Sequence, residues 1–129
     1  MKTPVEILLV DDSPSDIALT EEALKESGLD NTLTIVTDGE QAIEYLSKRG
    51  KFKDAGSPDL ILLDLNMPKK NGHEVLAAMK GNPALEEIPV VLLTVSEAEE
   101  DITRALGLKM NYYINKPVNV QKLAPILTT

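Results

Sequence analysis

At 129 residues the chain has the size of one domain, and its hydrophobic fraction of 43% and charged fraction of 26% are ordinary for a globular protein. Its formal net charge of −8 repels phosphate-rich surfaces, which argues against nucleic acid and membrane as partners. The chain lacks cysteines, a leader-like opening and any apolar run near the roughly 20 residues that span a bilayer, so we expect a cytoplasmic protein. From its length we expect one domain over residues 1–129, with no output domain.

Five short apolar runs, rich in leucine and β-branched residues, are predicted to be strands. They are Val5 to Val10, Leu33 to Val36, Leu60 to Leu63, Val90 to Leu93, and Tyr112 to Ile114. Stretches with apolar residues at helical spacing separate them, and the first helix is predicted over Pro14 to Ser27 with Gly28 as its stop. Since strands that are apolar on both faces and alternate with helices form a covered parallel sheet, we predict a doubly wound, five-stranded (βα)₅ α/β fold.

Acidic side chains follow two of these strands at their carboxyl ends. Asp11 and Asp12 come directly after the first strand, and Asp64 follows the third. One reversal of winding would bring these strand ends to a single crevice, so the three carboxylates should converge there. Their mutual repulsion favours a hard divalent cation, and Mg²⁺ commonly bridges carboxylates to a phosphate. For Asp11 or Asp12 alone, a helix-capping role remains an alternative.

Two further residues at strand ends supply the other parts of a phosphoryl site. Thr94 follows the fourth strand and Lys116 follows the fifth. A carboxylate nucleophile, a divalent cation, a lysine and a hydroxyl are the groups that position a phosphoryl group and neutralise charge on its oxygens. Either residue alone would be interpreted as a surface residue. Together with the three acids, they predict a phosphoryl-accepting site.

Across nearly its whole length the sequence resembles the receiver domains of bacterial two-component response regulators. The segments that carry the resemblance are ILLVDDS at Ile7 to Ser13, LILLDLNMP at Leu60 to Pro68 with Gly72, VVLLTVS at Val90 to Ser96, and YINKP at Tyr113 to Pro117. The resemblance implies a flavodoxin-like receiver fold. It also implies a phosphorylation-switched signalling module, not an enzyme, that takes its phosphoryl group from a histidine kinase or a histidine phosphotransfer protein.

The resemblance implies a role for each acid of the crevice. Asp64 is the implied phosphoacceptor. Asp12 and the main-chain carbonyl of Asn66 would join Asp64 around Mg²⁺, while Asp11 would act through a water bound to the metal. These assignments follow from the match of ILLVDDS and LILLDLNMP to the motifs of the family.

The resemblance also implies a switch at the fourth and fifth strands. Lys116, aimed inward by a cis peptide bond before Pro117, would pair with one phosphoryl oxygen, and Thr94 would hydrogen-bond another. Tyr113 is the implied aromatic rotamer switch. Its movement would alter the face made by the fourth predicted helix, the fifth strand and the fifth predicted helix, where a downstream protein is expected to bind. The apolar positions of these two helices run from Ala98 to Leu106 and from Val120 to Leu127. The oligomeric state, including a homodimer, is left open.

Three finer features bear on this interpretation. The extended loop from Arg49 to Pro58 and the closing MNYYINKPV resemble small stand-alone regulators that serve bacterial phytochrome kinases. Val95 stands where the family usually has alanine or glycine, so we expect it to act as an access gate that narrows the path to the phosphoryl group and prolongs the phosphorylated state. The alternative is that Val95 packs under the fourth predicted helix and leaves the opening unchanged. Pro125 falls inside the last predicted helix, which it is expected to kink or shorten.

Two alternative functions fit part of the pattern. A Mg²⁺-dependent phosphohydrolase would also use Asp64 as its nucleophile, but such enzymes usually carry a second acid where this chain has Asn66, and they need a cap for which the chain has no room. A constitutive interaction domain that is no longer controlled by phosphorylation would have no need to keep Asp12, Thr94 and Lys116. Phosphorylation-switched signalling is therefore the predicted function.

Overall fold

The computed structural model describes residues 4–48, 57–65, 71–94 and 112–127. Strands and helices alternate along these residues as the sequence predicts, except that two consecutive helices precede the fourth strand and that the segment between the fourth and fifth strands lies outside the described residues. Their bounds are β1 Val5–Val10, α1 Pro14–Glu26, β2 Asn31–Val36, α2 Gly39–Leu46, β3 Leu60–Asp64, α3 Gly72–Met79, α4 Pro83–Glu86, β4 Val90–Thr94, β5 Tyr112–Asn115 and α5 Val120–Leu127.

The strands form one parallel sheet in the order β2-β1-β3-β4-β5. The chain therefore winds outwards from β1 to β2 and then crosses back to β3, which confirms the predicted doubly wound fold. The register pairs Val10 with Leu63, so the residues that follow them lie next to each other at the carboxyl edge. Thr94 pairs with Asn115 at the same edge. Ligands of doubly wound sheets bind at such a reversal of strand order.

Burial on both faces of the sheet explains the continuous apolar runs. Every residue of β3 and β4 is buried. Two neighbours on β3 illustrate the alternation, because Leu63 packs with α2 and α3 on one face while Leu62 packs with α1 and α5 on the other. Full burial of one such side chain contributes about 1.5–3 kcal/mol, so these strands hold the residues at their carboxyl ends firmly in place.

The helix ends follow from local sequence. Ser13 caps α1, with Pro14 in its first turn, and Gly28 follows the helix with φ +74°, a left-handed conformation that glycine adopts without strain. The predicted first helix is therefore confirmed, to within one residue at its end. The single turn α4, which begins at Pro83, was not predicted.

Four further predictions concern the rest of the chain. β2 begins at Asn31, earlier than predicted, and α5 runs past Pro125 to Leu127, so the proline does not end this eight-residue helix. The fourth predicted helix and most of the loop from Arg49 to Pro58 lie outside the described residues. Among the residues that are described, no helix is long and apolar enough to cross a membrane.

Candidate functional site

Three carboxylates meet at the carboxyl edge of the sheet. Asp11 follows β1 and is fully buried, Asp64 ends β3 and is 5% exposed, and Asp12 lies at the surface. One carboxylate oxygen from each residue lies within 4.8 Å of the other two. The structure thus brings together the three acids that were assigned to this crevice from the sequence, which we call the acidic trio.

The buried carboxylate of Asp11 tests whether this group fits a metal. Its Oδ1 accepts a hydrogen bond from the main-chain N–H of Ser13 at 3.0 Å. Its Oδ2 is buried and accepts no hydrogen bond from the residues that the structure describes, although it lies 3.2 Å from Nζ of Lys116 in an ion contact. A buried oxygen without a hydrogen bond is costly unless another partner satisfies it. The three carboxylates also carry more negative charge than the Lys116 ammonium neutralises, and such a group fits a hard divalent cation.

Lys116 supplies positive charge to the same crevice. Its Nζ donates a hydrogen bond to Oδ2 of Asp16 at 2.9 Å and lies 3.2 Å from Oδ2 of Asp64. Burial by itself lowers the pKa of the Lys116 amine, but the hydrogen bond to Asp16 and the charges of Asp64 and Asp11 outweigh burial and raise that pKa above its ordinary value. The side chain is therefore a cation at neutral pH.

The main chain around Lys116 is held from two sides. Its N–H donates to the carbonyl of Thr94 at 2.7 Å, which ties it to the end of β4. Nζ of Lys122 donates to the carbonyls of Asn115 at 2.8 Å and Pro117 at 3.1 Å, the residues on either side of Lys116. The peptide bond between Lys116 and Pro117 is cis, as the resemblance implies.

Thr94 lies at the end of β4 and is buried. Its hydroxyl donates a hydrogen bond to Oδ1 of Asn115 at 3.1 Å. Tyr113, the expected rotamer switch, is 44% exposed on β5. The threonine hydroxyl is therefore engaged with β5 in this structure.

Comparison with known proteins covers nearly the whole chain. Residues 7–128 match the family model described as response regulator receiver domain. The chain belongs to this family. Receiver domains are phosphorylation-switched modules of two-component signalling, which accept phosphoryl groups from histidine kinases or phosphotransfer proteins and bind a divalent metal. The predicted function and fold are confirmed at this level.

The relatives of this receiver domain include other response regulators. Response regulator Rcp1 from Synechocystis is 47% identical over 120 residues, which are 93% of this chain and 82% of Rcp1. The structure of Rcp1 in its Mn²⁺-bound form is similar with a TM-score of 0.81, at 45% identity, over 96% of this chain and 89% of that one.

Two further solved structures are similar. The phosphorylated cyanobacterial phytochrome response regulator RcpA has a TM-score of 0.81 at 46% identity, over 95% of this chain and 88% of its own. The bacteriophytochrome response regulator RtBRR has a TM-score of 0.89 at 41% identity, over 96% of this chain and 76% of its own.

One contact of this receiver domain, the pairing of Asp16 with Lys116, was not predicted from the sequence. Asp16 lies in the first turn of α1, where its N–H donates to the hydroxyl of the capping residue Ser13 at 3.4 Å and its carbonyl accepts from the hydroxyl of Thr20 at 2.9 Å. An acid at this position is interpreted from sequence as a favourable partner of the helix dipole. No sequence signal connects it to a lysine that follows β5.

Gly72 is the second residue whose role emerges from the structure. Its N–H donates to the carbonyl of Leu65 at 3.0 Å, and a Cβ at this position would lie 2.7 Å from the carbonyl oxygen of Asp64. The start of α3 therefore packs directly on the main chain of Asp64. Glycine is the residue that permits this approach.

Two of the predicted site residues are not described. Asn66, the expected carbonyl ligand, and Val95, the expected access gate, both lie outside the described residues. Their roles stay predictions.

Proposed function

We propose that this receiver domain accepts a phosphoryl group on Asp64, with Mg²⁺ held by the acidic trio and the main-chain carbonyl of Asn66. The position of Asp64 carries the proposal. Asp64 is the last residue of a buried strand, and its carboxylate lies 3.2 Å from the Lys116 ammonium and belongs to the acidic trio. A carboxylate beside a fixed cation and a metal-binding group is the nucleophile that phosphoryl transfer requires.

In the proposed transfer, a carboxylate oxygen of Asp64 attacks the phosphorus of a phosphohistidine. The new oxygen–phosphorus bond forms as the nitrogen–phosphorus bond breaks, and the imidazole leaves with the electron pair. Mg²⁺, when bound, supplies positive charge to the oxygens of the phosphoryl group. Lys116 pairs with one of these oxygens and Thr94 donates to another, so the protein orients the group and stabilises its charge. It relays the group and does not turn over a substrate.

The donor is proposed to be a histidine kinase of the phytochrome type, or a histidine phosphotransfer protein. The support is the set of similar regulators, which are named for their association with phytochromes. Such a donor would place the protein in the cytoplasm, where the ATP used by the kinase is found.

The output is proposed to pass through Thr94 and Tyr113. Movement of the Thr94 hydroxyl toward the phosphoryl group would vacate space for Tyr113 and change the face formed by β5, α5 and the helix predicted before β5. A downstream protein would bind this face. The support is the position of Thr94 directly beside β5, at its pairing with Asn115.

Transfer from a phosphorylated phytochrome-type kinase in the presence of Mg²⁺ tests the proposal. We expect one labelled residue, Asp64, with a label that alkali removes because an aspartyl phosphate is a mixed anhydride. Asp64→Asn should abolish labelling, whereas Asp30→Asn, at an exposed site, should not. Full labelling of Asp64→Asn, or a label that survives base, would contradict the assignment.

A further inference from the structure

Lys116 pairs with three carboxylates among the described residues, and these partners differ in what else they can bind. Asp11 and Asp64 belong to the acidic trio, whereas Asp16 does not. Asp16 is also the nearest partner, at 2.9 Å compared with 3.2 Å for each of the other two. Its side chain is 31% exposed. The ammonium is therefore shared between the proposed metal ligands and one separate acid.

A divalent cation at the acidic trio would change this balance. The cation would neutralise part of the negative charge of Asp11 and Asp64, the carboxylates that also attract Lys116. It would in addition repel the Lys116 ammonium. Both effects are strong where burial limits screening by water. Asp16 keeps its full charge for Lys116 because it is not part of the trio.

We infer that Asp16 is a positioning residue that keeps Lys116 at the site when a divalent cation occupies the acidic trio. The inference deepens the proposed function and rests on it, since it concerns the same site. The main chain of Asp16 is fixed at the start of α1 by its hydrogen bonds with Ser13 and Thr20. Because its main chain is fixed, the Asp16 carboxylate is well positioned to bind the Lys116 ammonium.

A double-mutant cycle measured by Mg²⁺ affinity tests this inference. Magnesium chloride is titrated into the parent, Asp16→Asn, Lys116→Met and the double variant, and binding is followed by amide NMR. In the parent background, Asp16→Asn should weaken Mg²⁺ binding about fivefold, since Lys116 then depends on the metal ligands alone and competes with the cation. In the Lys116→Met background the same change should weaken binding by less than about twofold.

Glu22→Gln is the control, because it removes the same charge from an exposed position of α1. It should leave Mg²⁺ affinity unchanged. An equal loss from Asp16→Asn in both lysine backgrounds would mean that Asp16 acts on the cation directly, and it would overturn the inference, as would no loss in either. These outcomes do not depend on phosphorylation, so they separate failure of the inference from failure of the proposed function.

Labelling by acetyl phosphate at saturating Mg²⁺ gives an independent readout. Asp16→Asn should slow labelling about tenfold, because Lys116 is less well placed for the phosphoryl group. Asp16→Glu should restore most of the rate, since it returns the carboxylate. Parental rates in a folded Asp16→Asn protein would overturn the inference.

Discussion

The hydroxyl of Thr94 donates to Oδ1 of Asn115 at 3.1 Å, between two residues that face each other across β4 and β5. Thr94 must give up this bond before its hydroxyl can reach a phosphoryl oxygen. A hydrogen bond of this kind contributes a net of about 0.5–1.5 kcal/mol, which corresponds to a roughly two- to tenfold bias. The contact therefore opposes the proposed switch by a modest amount.

Asn115→Ala should favour the switched arrangement. Without the amide acceptor, beryllofluoride with Mg²⁺, an analogue of the phosphoryl group, should bind roughly two- to tenfold more tightly. The main-chain carbonyl that accepts from Lys122 is retained in this variant. In a Thr94→Ala background, Asn115→Ala should not change the affinity for beryllofluoride. Weaker binding in Asn115→Ala, or an equal gain in both backgrounds, would show that the contact does not restrain Thr94.

Gly72→Ala should destabilise the protein and impair the site together. The added Cβ would lie 2.7 Å from the carbonyl oxygen of Asp64, so the main chain must shift, at a cost of about 1–3 kcal/mol. Urea unfolding and labelling by acetyl phosphate measure the two effects. Gly81→Ala is the control, because Gly81 has φ +86° but open space around it, and its replacement should cost stability without slowing labelling. Parental labelling by Gly72→Ala would contradict the expected coupling.

Lys116→Met should lower the free energy of unfolding by about 1–3 kcal/mol at neutral pH, between the values for exposed and buried ion pairs. Because the folded protein raises the pKa of Lys116 above its unfolded value of 10.5, this contribution is fully present below that value and is lost as pH rises through the folded pKa. The difference from the parent should thus stay constant from about pH 7 to about pH 9. Lys25→Met, at an exposed site, should change the free energy of unfolding little. A difference that shrinks near neutral pH would contradict this account.

The strands were predictable because their burial is visible in the sequence. Leu60 to Leu63 forms one apolar run since both faces of β3 are covered, and the acid that ends the run is placed by the fold. β5 was predicted to within one residue, although Tyr112 and Tyr113 are exposed and only Ile114 is buried in this strand.

The side-chain contacts around the site could not be predicted in the same way. Asp16 and Lys116 are 100 positions apart, and helical periodicity does not tell which acid of α1 faces the end of β5. From the sequence, Asn115 would be interpreted as a surface residue. Its contact with Thr94 could not be predicted, because it depends on the register of two parallel strands. Family motifs locate the residues of the site, whereas these contacts depend on the packing of this particular chain.

Val95→Ala tests the predicted access gate. If the branched side chain narrows the approach of water to the phosphoryl group, its removal should speed both hydrolysis of phosphorylated Asp64 and labelling by acetyl phosphate, by up to about 100-fold. Transfer from a docked kinase should change less, because binding energy from remote contacts offsets the crowding. Equal rates for the variant and the parent would end the gate hypothesis.

The effect of Asp12→Asn on the free energy of unfolding should depend on Mg²⁺. In a chelator, removal of one charge from the acidic trio relieves repulsion, so the free energy of unfolding should stay the same or rise by up to about 1 kcal/mol. With Mg²⁺ at 100 times its dissociation constant, the parent should gain about 2.7 kcal/mol, because the ion binds the folded state. Asp12→Asn should gain much less, since one ligand is lost. Urea unfolding with and without Mg²⁺ measures both effects, and Asp30→Asn should behave like the parent. An equal gain from Mg²⁺ in Asp12→Asn would remove Asp12 from the metal site.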